Sequence, residues 1–182
     1  MDEKELRKSL IKRREELSAF AVQSASKQVE NALFALQGIL DYDTYFVYKS
    51  FRGEIDTKRI IKRLKSAGKR VLFPLIQGNE MLAVESKTDE FMQDKFGVEI
   101  PKDYEVFVGM PSVVITPLVA CDKNLNRLGF GRGYYDRFFA KAPCLKIGLC
   151  HDFQVLDALS PKEWDIPLDI IVTEKRVLLP TM

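Results

Sequence analysis

Apolar residues recur along the chain with helical and strand periods in alternation. Leu6, Leu10 and Leu17 fall near one face, with Ile11 beside them, and predict a helix over residues 3–17. Val22, Ala25, Val29, Ala32, Leu33 and Leu36 fit the 3.6-residue period of a second helix, with Ser18 as N-cap and Gly38 as stop. The β-branched and aromatic run Thr44–Tyr48 predicts a strand. Thr57 or Asp56 can cap the next helix, whose apolar face is Ile60, Ile61 and Leu64 and which Gly68 ends. A strand from Arg70 to Leu75 is expected to pair with Met81–Glu85 across the Gln77-Gly78-Asn79 turn. Residues 86–110 carry Phe91, Met92, Phe96 and Phe107 without a clean period. Val113–Val119 reads as a buried strand, Tyr134–Lys141 as a short amphipathic helix, and Leu145–Cys150 and Ile170–Thr173 as further strands. Such alternation predicts an α/β fold of three layers: a largely parallel sheet with helices on both faces.

Composition narrows the class. At 182 residues the chain is expected to form a single domain that buries roughly 70% of its unfolded surface. A net charge of +2 gives no case for a dedicated nucleic-acid binder. Cys121, Cys144 and Cys150 lack metal-ligand spacing and are expected to stay reduced. There is no apolar run of roughly 18 residues and no charged-then-apolar leader, so neither a membrane span nor a signal peptide is expected. The expectation is a cytoplasmic monomer whose partners are small molecules.

Candidate chemistry concentrates in Leu128–Arg137. Gly129, Gly131 and Gly133 alternate there between an apolar strand and a predicted helix. That arrangement points free backbone N–H groups at an anion. Arg127, Arg132 and Arg137 add positive charge at regular spacing, so the segment reads as a phosphate or polyanion site. It is not a P-loop, because no Gly-Lys-Ser/Thr follows. It is not a dinucleotide fingerprint either, because position 134 is Tyr. Elsewhere, the basic side chains Arg7, Lys8, Lys12, Arg13 and Arg14 read either as a solvated helix face or, through Lys4 and Arg7, as nucleotide contacts. Glu54 is a loop acid at a strand end feeding a helix, the place where open α/β sheets put ligands. The lone His151 reads as structural, Phe96 as either a stacking platform or a core ring, and Asp165 as either a metal ligand or a turn cap.

The segment Asn126–Asp136 resembles the signature Asn-Arg-Leu-Gly-x-Gly-x-Gly-Tyr-Tyr-Asp of the 5-formyltetrahydrofolate cyclo-ligase family. Supporting resemblances run from Leu6-Arg7, through Glu54-Ile55-x-Thr57 and Phe96–Pro101, to Asp165-x-x-x-Asp169 and Thr173-Glu174. The family's N-terminal Lys-x-x-x-Arg departs here: Glu3 holds the strict lysine position and Lys4 stands one place along. Cys121 replaces a family Phe ahead of the loop, whereas Asp122 is kept.

Membership would imply conversion of 5-formyltetrahydrofolate and ATP to 5,10-methenyltetrahydrofolate, ADP and phosphate, with Mg²⁺. By resemblance, Lys4, Arg7, Arg127, Leu128, Gly129, Phe130, Gly131, Arg132, Gly133, Tyr134 and Tyr135 are assigned to ATP, with Arg132 catalytic. Lys49, Glu54 and Phe96 are assigned to the folate, and Asp136 and Asp165 to the metal. Two other classes remain open: a sugar-phosphate isomerase or acyltransferase that grips a phosphate without transferring it, and a non-catalytic nucleotide or RNA binder.

Overall fold

The computed structural model describes residues 1–182. It has four helices: α1 (Glu3–Glu15), α2 (Ala19–Phe34), α3 (Lys58–Ser66) and α4 (Tyr134–Phe139). Its strands are β1 (Thr44–Val47), β2 (Arg70–Gln77), β3 (Glu80–Ser86), β4 (Phe91–Gln93), β5 (Glu99–Pro101), β6 (Tyr104–Val106), β7 (Val113–Pro117), β8 (Ala120–Asp122), β9 (Arg127–Leu128), β10 (Leu145–Leu149), β11 (Val155–Leu156), β12 (Ile170–Val172) and β13 (Val177–Leu178). Eight of these form the main sheet, in the order β13-β12-β10-β7-β1-β2-β3-β6. Its centre, β12-β10-β7-β1-β2, is parallel; β13 and β3 run against it, and β6 pairs antiparallel with β3 at the edge.

The period-2 alternation sorts side chains to the two faces. Tyr45, Val47, Val113 and Ile115 pack with Val29 and Leu33 of α2 and with Ile60 and Leu64 of α3. Phe46, Leu72, Val114 and Ile171 point the other way, against Phe138 and Phe139 of α4. Phe46 stacks on Phe138 with ring centroids 4.9 Å apart. The expected three layers, with helices on both faces of a largely parallel sheet, are therefore present.

Several local expectations hold. Ser18 caps α2, its side chain accepting from the Ala21 N–H. Residues 70–77 and 80–86 pair as a hairpin. At α3 the work is divided: the Asp56 carboxylate accepts the Lys58 N–H, while the Thr57 hydroxyl donates to the Tyr48 carbonyl at 2.6 Å. The irregular stretch 86–110 holds the small β4-β5 hairpin and the edge strand β6.

Two expectations need correction. The glycine segment does not follow the buried strand directly. After β7 the chain enters a second, three-stranded sheet, β11-β8-β9, and the segment leaves from the β8-β9 hairpin. Asp122, fully buried, closes that hairpin by accepting from the N–H groups of Asn124 and Asn126 and from the Asn126 side chain, and it also takes the Leu159 N–H. The second correction concerns α1. Its basic side is not uniformly solvated: Lys8, Lys12 and Arg13 are exposed, but Arg14 is buried. Leu10 of the same helix packs on Val119, Ala120 and Leu128, so α1 lies against the sheet that carries the glycine segment.

The strand order reverses between β1 and β7. The chain proceeds from β1 to β2 on one side, and from β7 to β10 and β12 on the other. In open parallel sheets the crevice beyond the carboxyl ends of two such strands is where ligands bind. Residues 48–57 follow β1 and residues 118–133 follow β7, so both candidate loops emerge at this crevice.

Candidate active site

A cavity of about 1050 Å³ opens at the switch point. Its wall includes Arg7, Lys49, Glu54, Phe96, Asp136, Asp165 and the whole run from Arg127 to Tyr135. Residues as far apart in sequence as Glu3 and Asp165 thus share one wall. Lys4 is the exception. It is exposed and off the cavity, whereas Glu3 is on its wall. Helical geometry explains this: Glu3 and Arg7 are one turn apart on the same face, and Lys4 is rotated away by about 100°. Glu3 is spent on the Arg7 guanidinium at 2.7 Å.

The glycine segment presents its amides. None of the N–H groups from Gly129 to Gly133 donates to a protein acceptor. Gly131 (φ +98°) and Gly133 (φ +70°) turn the backbone, and a Cβ on Gly131 would lie 3.4 Å from the Arg7 guanidinium carbon. The segment is held by arginines at its two ends. Arg7 Nε donates to the Gly129 carbonyl at 2.7 Å. Arg137 donates to the Arg132 carbonyl at 2.8 Å and also to the Asn79 carbonyl in the β2-β3 turn. Arg127 lies buried beneath, donating to the Pro117 carbonyl at 3.2 Å, with Nη2 3.8 Å from Asp136. Arg132 is different: it is exposed, its side chain makes no protein hydrogen bond, and its guanidinium lies 5.2 Å from the Phe96 ring centre.

The folate candidates occupy the β1 end. Glu54 is 5% exposed; one carboxylate oxygen accepts the Phe51 N–H at 2.9 Å and the other, Oε2, is buried without a partner. Burial pushes this carboxyl up to about 7, against the opposing pull of the Arg14 charge, the Phe51 N–H and Arg52. Lys49 reaches the wall but is already paired with Glu99 at 3.1 Å and sits over the Phe91 ring, which ties the β4-β5 hairpin to the end of β1. Phe96 is not a core ring. It is half-exposed on the cavity wall, in a loop that Asp94 closes by accepting from the Phe96 and Val98 N–H groups.

The metal candidates have the donor chemistry of a hard cation. Asp136 accepts the Ile166 N–H with one oxygen and faces Arg127 with the other, whereas Asp165 accepts the Lys162 N–H with one oxygen and keeps the second. Nowhere do three His, Cys, Asp or Glu side chains gather as a metal group. Mg²⁺ suits such a site, because it is held by one or two carboxylates while substrate phosphate and water complete its shell. Asp165 therefore closes a turn and stands on the cavity wall at the same time.

Sequence reasoning missed the supports. His151 is buried with Nε2 2.8 Å from the Gly53 carbonyl; a carbonyl can only accept, so Nε2 carries the hydrogen. Burial lowers its pKa, and the expected structural role holds. Tyr48 donates to the Ile55 carbonyl at 2.8 Å. Trp164 and Lys162 stand on the cavity wall. Sequence spacing carries no trace of these contacts, which bridge 7 to 98 positions.

Comparison with known proteins gives the family. The model of the 5-formyltetrahydrofolate cyclo-ligase family matches residues 1–174. The 5-formyltetrahydrofolate cyclo-ligase of Escherichia coli K12 is 34% identical over 176 residues, covering 91% of this chain and 96% of that protein. The NMR structure of Aquifex aeolicus 5,10-methenyltetrahydrofolate synthetase superposes with a TM-score of 0.86 at 32% identity, over 97% of this chain and 92% of the other. The Mycoplasma pneumoniae 5,10-methenyltetrahydrofolate synthetase gives a TM-score of 0.79 at 26% identity, over 96% and 99%. With residues 1–174 matched by the family model, relatives above 30% identity and the fold shared over nearly the whole length, the chain belongs to the 5-formyltetrahydrofolate cyclo-ligase family.

Proposed function

We propose that the chain, acting as a single domain, converts 5-formyltetrahydrofolate to 5,10-methenyltetrahydrofolate at the expense of ATP, with Mg²⁺. One observation carries this reading: the unpartnered amides of Gly129–Gly133 share a cavity with the buried carboxylate of Glu54. A polyanion and a pterin with N–H groups to donate would satisfy the two ends of that cavity. Family membership supports a ligase of folate one-carbon metabolism over a phosphate-gripping isomerase or a non-catalytic binder. No helix is long and apolar enough to cross a membrane, and a cytoplasmic monomer remains our reading.

The chemistry asks for positioning rather than a protein nucleophile. A formyl oxygen leaves poorly as hydroxide. Transfer of the terminal phosphoryl group of ATP to that oxygen makes phosphate the leaving group; attack by N10 on the formyl carbon, with loss of the N10 proton to solvent, then closes the ring and expels phosphate. The loop amides hold the phosphates, while Arg132 and Arg127 offset charge on the group in transit. Arg7 presents charge from α1, and Glu54 accepts from the pterin and fixes its pose. Asp136 and Asp165 would hold Mg²⁺, which when bound neutralises phosphate charge. Phe96 and Lys49 form the folate side of the wall, and Tyr134 and Tyr135 the nucleotide side.

Following the absorbance of the methenyl product tests this. Product is expected only when ATP, Mg²⁺ and 5-formyltetrahydrofolate are all present, with ADP formed one for one. Product formation without ATP, or no ATP binding by calorimetry with Mg²⁺ present, would overturn the proposal.

A further inference from the structure

Arg14 is the one charged side chain of α1 that the fold takes inside. It is 1% exposed, and a buried guanidinium is costly unless its donors are used. Two donors are used on segments far apart in sequence: Nε donates to the Arg52 carbonyl at 2.9 Å, and Nη1 to the Leu118 carbonyl at 3.2 Å. Leu118 follows β7, at the start of the path to the glycine segment, and its carbonyl is also taken by Gln154. Arg52 belongs to the loop that carries Glu54. One planar fork thus ties the loops leaving β1 and β7 across the crevice where the strand order reverses.

Two polar atoms at this place are left over. Nη2 of Arg14 and Oε2 of Glu54 are both buried and unpartnered. They do not form an ion pair with each other, yet the Arg14 charge is the first influence opposing the effect of burial on Glu54. The loop between them is held closely. Residues 52 and 53 both have positive φ, the Gly53 carbonyl is bound by His151, and the position of a Cβ on Gly53 is 2.5 Å from the Arg14 carbonyl oxygen. Arg14 is not on the cavity wall, so it does not touch a ligand there. Its guanidinium lies 5.9 Å from the centre of the Phe130 ring in the glycine segment, but the loop that its Nε fixes directly is the one carrying Glu54.

We infer that Arg14 is a positioning residue: by fixing the 51–54 loop through the Arg52 carbonyl, it sets the pose with which Glu54 meets the pterin. The inference rests on the assignment of Glu54 to the folate. It differs from a general packing role because it requires the effect to be confined to the folate and to pass through one carboxylate. The other groups facing Glu54 are Arg52 of its own loop, the Tyr48 hydroxyl from the end of β1 and Tyr135 of α4. None of these bridges the two loops.

The test is a double-mutant cycle on the full-length enzyme with Arg14→Lys, Arg14→Met and Glu54→Gln, read as KM for each substrate and as the pH profile of kcat/KM. Arg14→Lys keeps a charge but loses the fork, and should fold if Arg14→Met does not. Either change is expected to raise the KM for 5-formyltetrahydrofolate about tenfold and leave the ATP KM within about twofold. Arg14→Met should also move the acid limb of kcat/KM for the folate to higher pH, since the charge that favours ionised Glu54 is gone. In the Glu54→Gln background, Arg14→Lys should add almost nothing, because its route of action has been removed. Full additivity of the two changes, or equal loss of affinity for both substrates, would overturn the inference. If Glu54→Gln alone leaves the folate KM unchanged, the assignment of Glu54 itself fails, an outcome separate from failure of the Arg14 step.

Discussion

Arg7 Nε donates to the carbonyl of Gly129 at 2.7 Å, across 122 positions of sequence. This contact ties the N-terminal helix to the glycine segment. It also turns a guanidinium, anchored on its other side by Glu3, against Gly131. One side chain therefore both shapes the loop and supplies it with charge.

Arg7→Lys keeps the charge but removes the fork that reaches Glu3 and Gly129 together. The KM for ATP should rise by about tenfold, and the KM for the folate should stay within about twofold. Steady-state kinetics with each substrate varied in turn checks this. A change in the folate KM alone would place Arg7 on the wrong side of the cavity.

Arg132 makes no protein hydrogen bond through its side chain, so removing it leaves no unmet partner. Arg132→Ala should cut kcat by about a hundredfold or more, as loss of a charge that stabilises phosphoryl transfer does, with melting temperature unchanged. Near-normal turnover in this variant would remove Arg132 from the mechanism.

These two arginines show what the sequence could reveal. Arg132 stands in a short motif whose chemistry is local, and the loop amides follow from three glycines at alternate positions. The elements were equally legible, because Val113–Pro117 or Ile60, Ile61 and Leu64 carry their burial in their period. The supports were not. Arg14 and Arg13 are adjacent and chemically identical, yet only Arg14 is taken inside. That choice depends on the carbonyls of Arg52 and Leu118, which come near only after the sheet has formed. Lys4 shows a related effect: the one-place shift in the motif moves it off the helix face that Glu3 and Arg7 share. The β8-β9 hairpin is not legible in the sequence, because the strand-like run Val113–Val119 stands close ahead of the glycine segment and the turn-closing role of Asp122 is a tertiary fact.

Glu54 should make the protein less stable as pH rises. Its carboxyl stands at about 7 in the folded chain, against an ordinary value of 4.5. Below 4.5 both folded and unfolded chains carry the proton, and the group contributes nothing. From there to about 7 the unfolded chain ionises first, so folding must take up a proton and stability falls. The total loss above pH 7 is about 3 kcal/mol. Glu54→Gln should therefore raise the melting temperature at pH 8, leave it nearly unchanged at pH 4, and weaken folate binding. Equal melting temperatures of the two proteins at pH 8 would remove the burial penalty from the account.

Gly53 is where the backbone of one candidate loop meets the helix bearing Arg14. Its φ is +75°, and a Cβ there would lie 2.5 Å from the Arg14 carbonyl oxygen and 3.0 Å from the carbonyl carbon. Those are backbone atoms of a helix, and they cannot swing aside as a side-chain tip could. Gly68 supplies the comparison, since its φ is +76° but nothing lies within 4 Å of its Cβ position. Gly68→Ala should therefore show the strain of the backbone conformation alone, about 1 kcal/mol. Gly53→Ala should carry that strain together with a clash that pushes the loop from α1, for a loss of about 3 kcal/mol or more. Because the displaced segment includes Glu54, the folate KM should rise in Gly53→Ala and stay unchanged in Gly68→Ala. Denaturant unfolding of the two variants beside the parent, with kinetics on the same samples, separates the two effects. Equal destabilisation would mean that α1 gives way, and the close approach at Arg14 would then no longer explain why residue 53 is glycine.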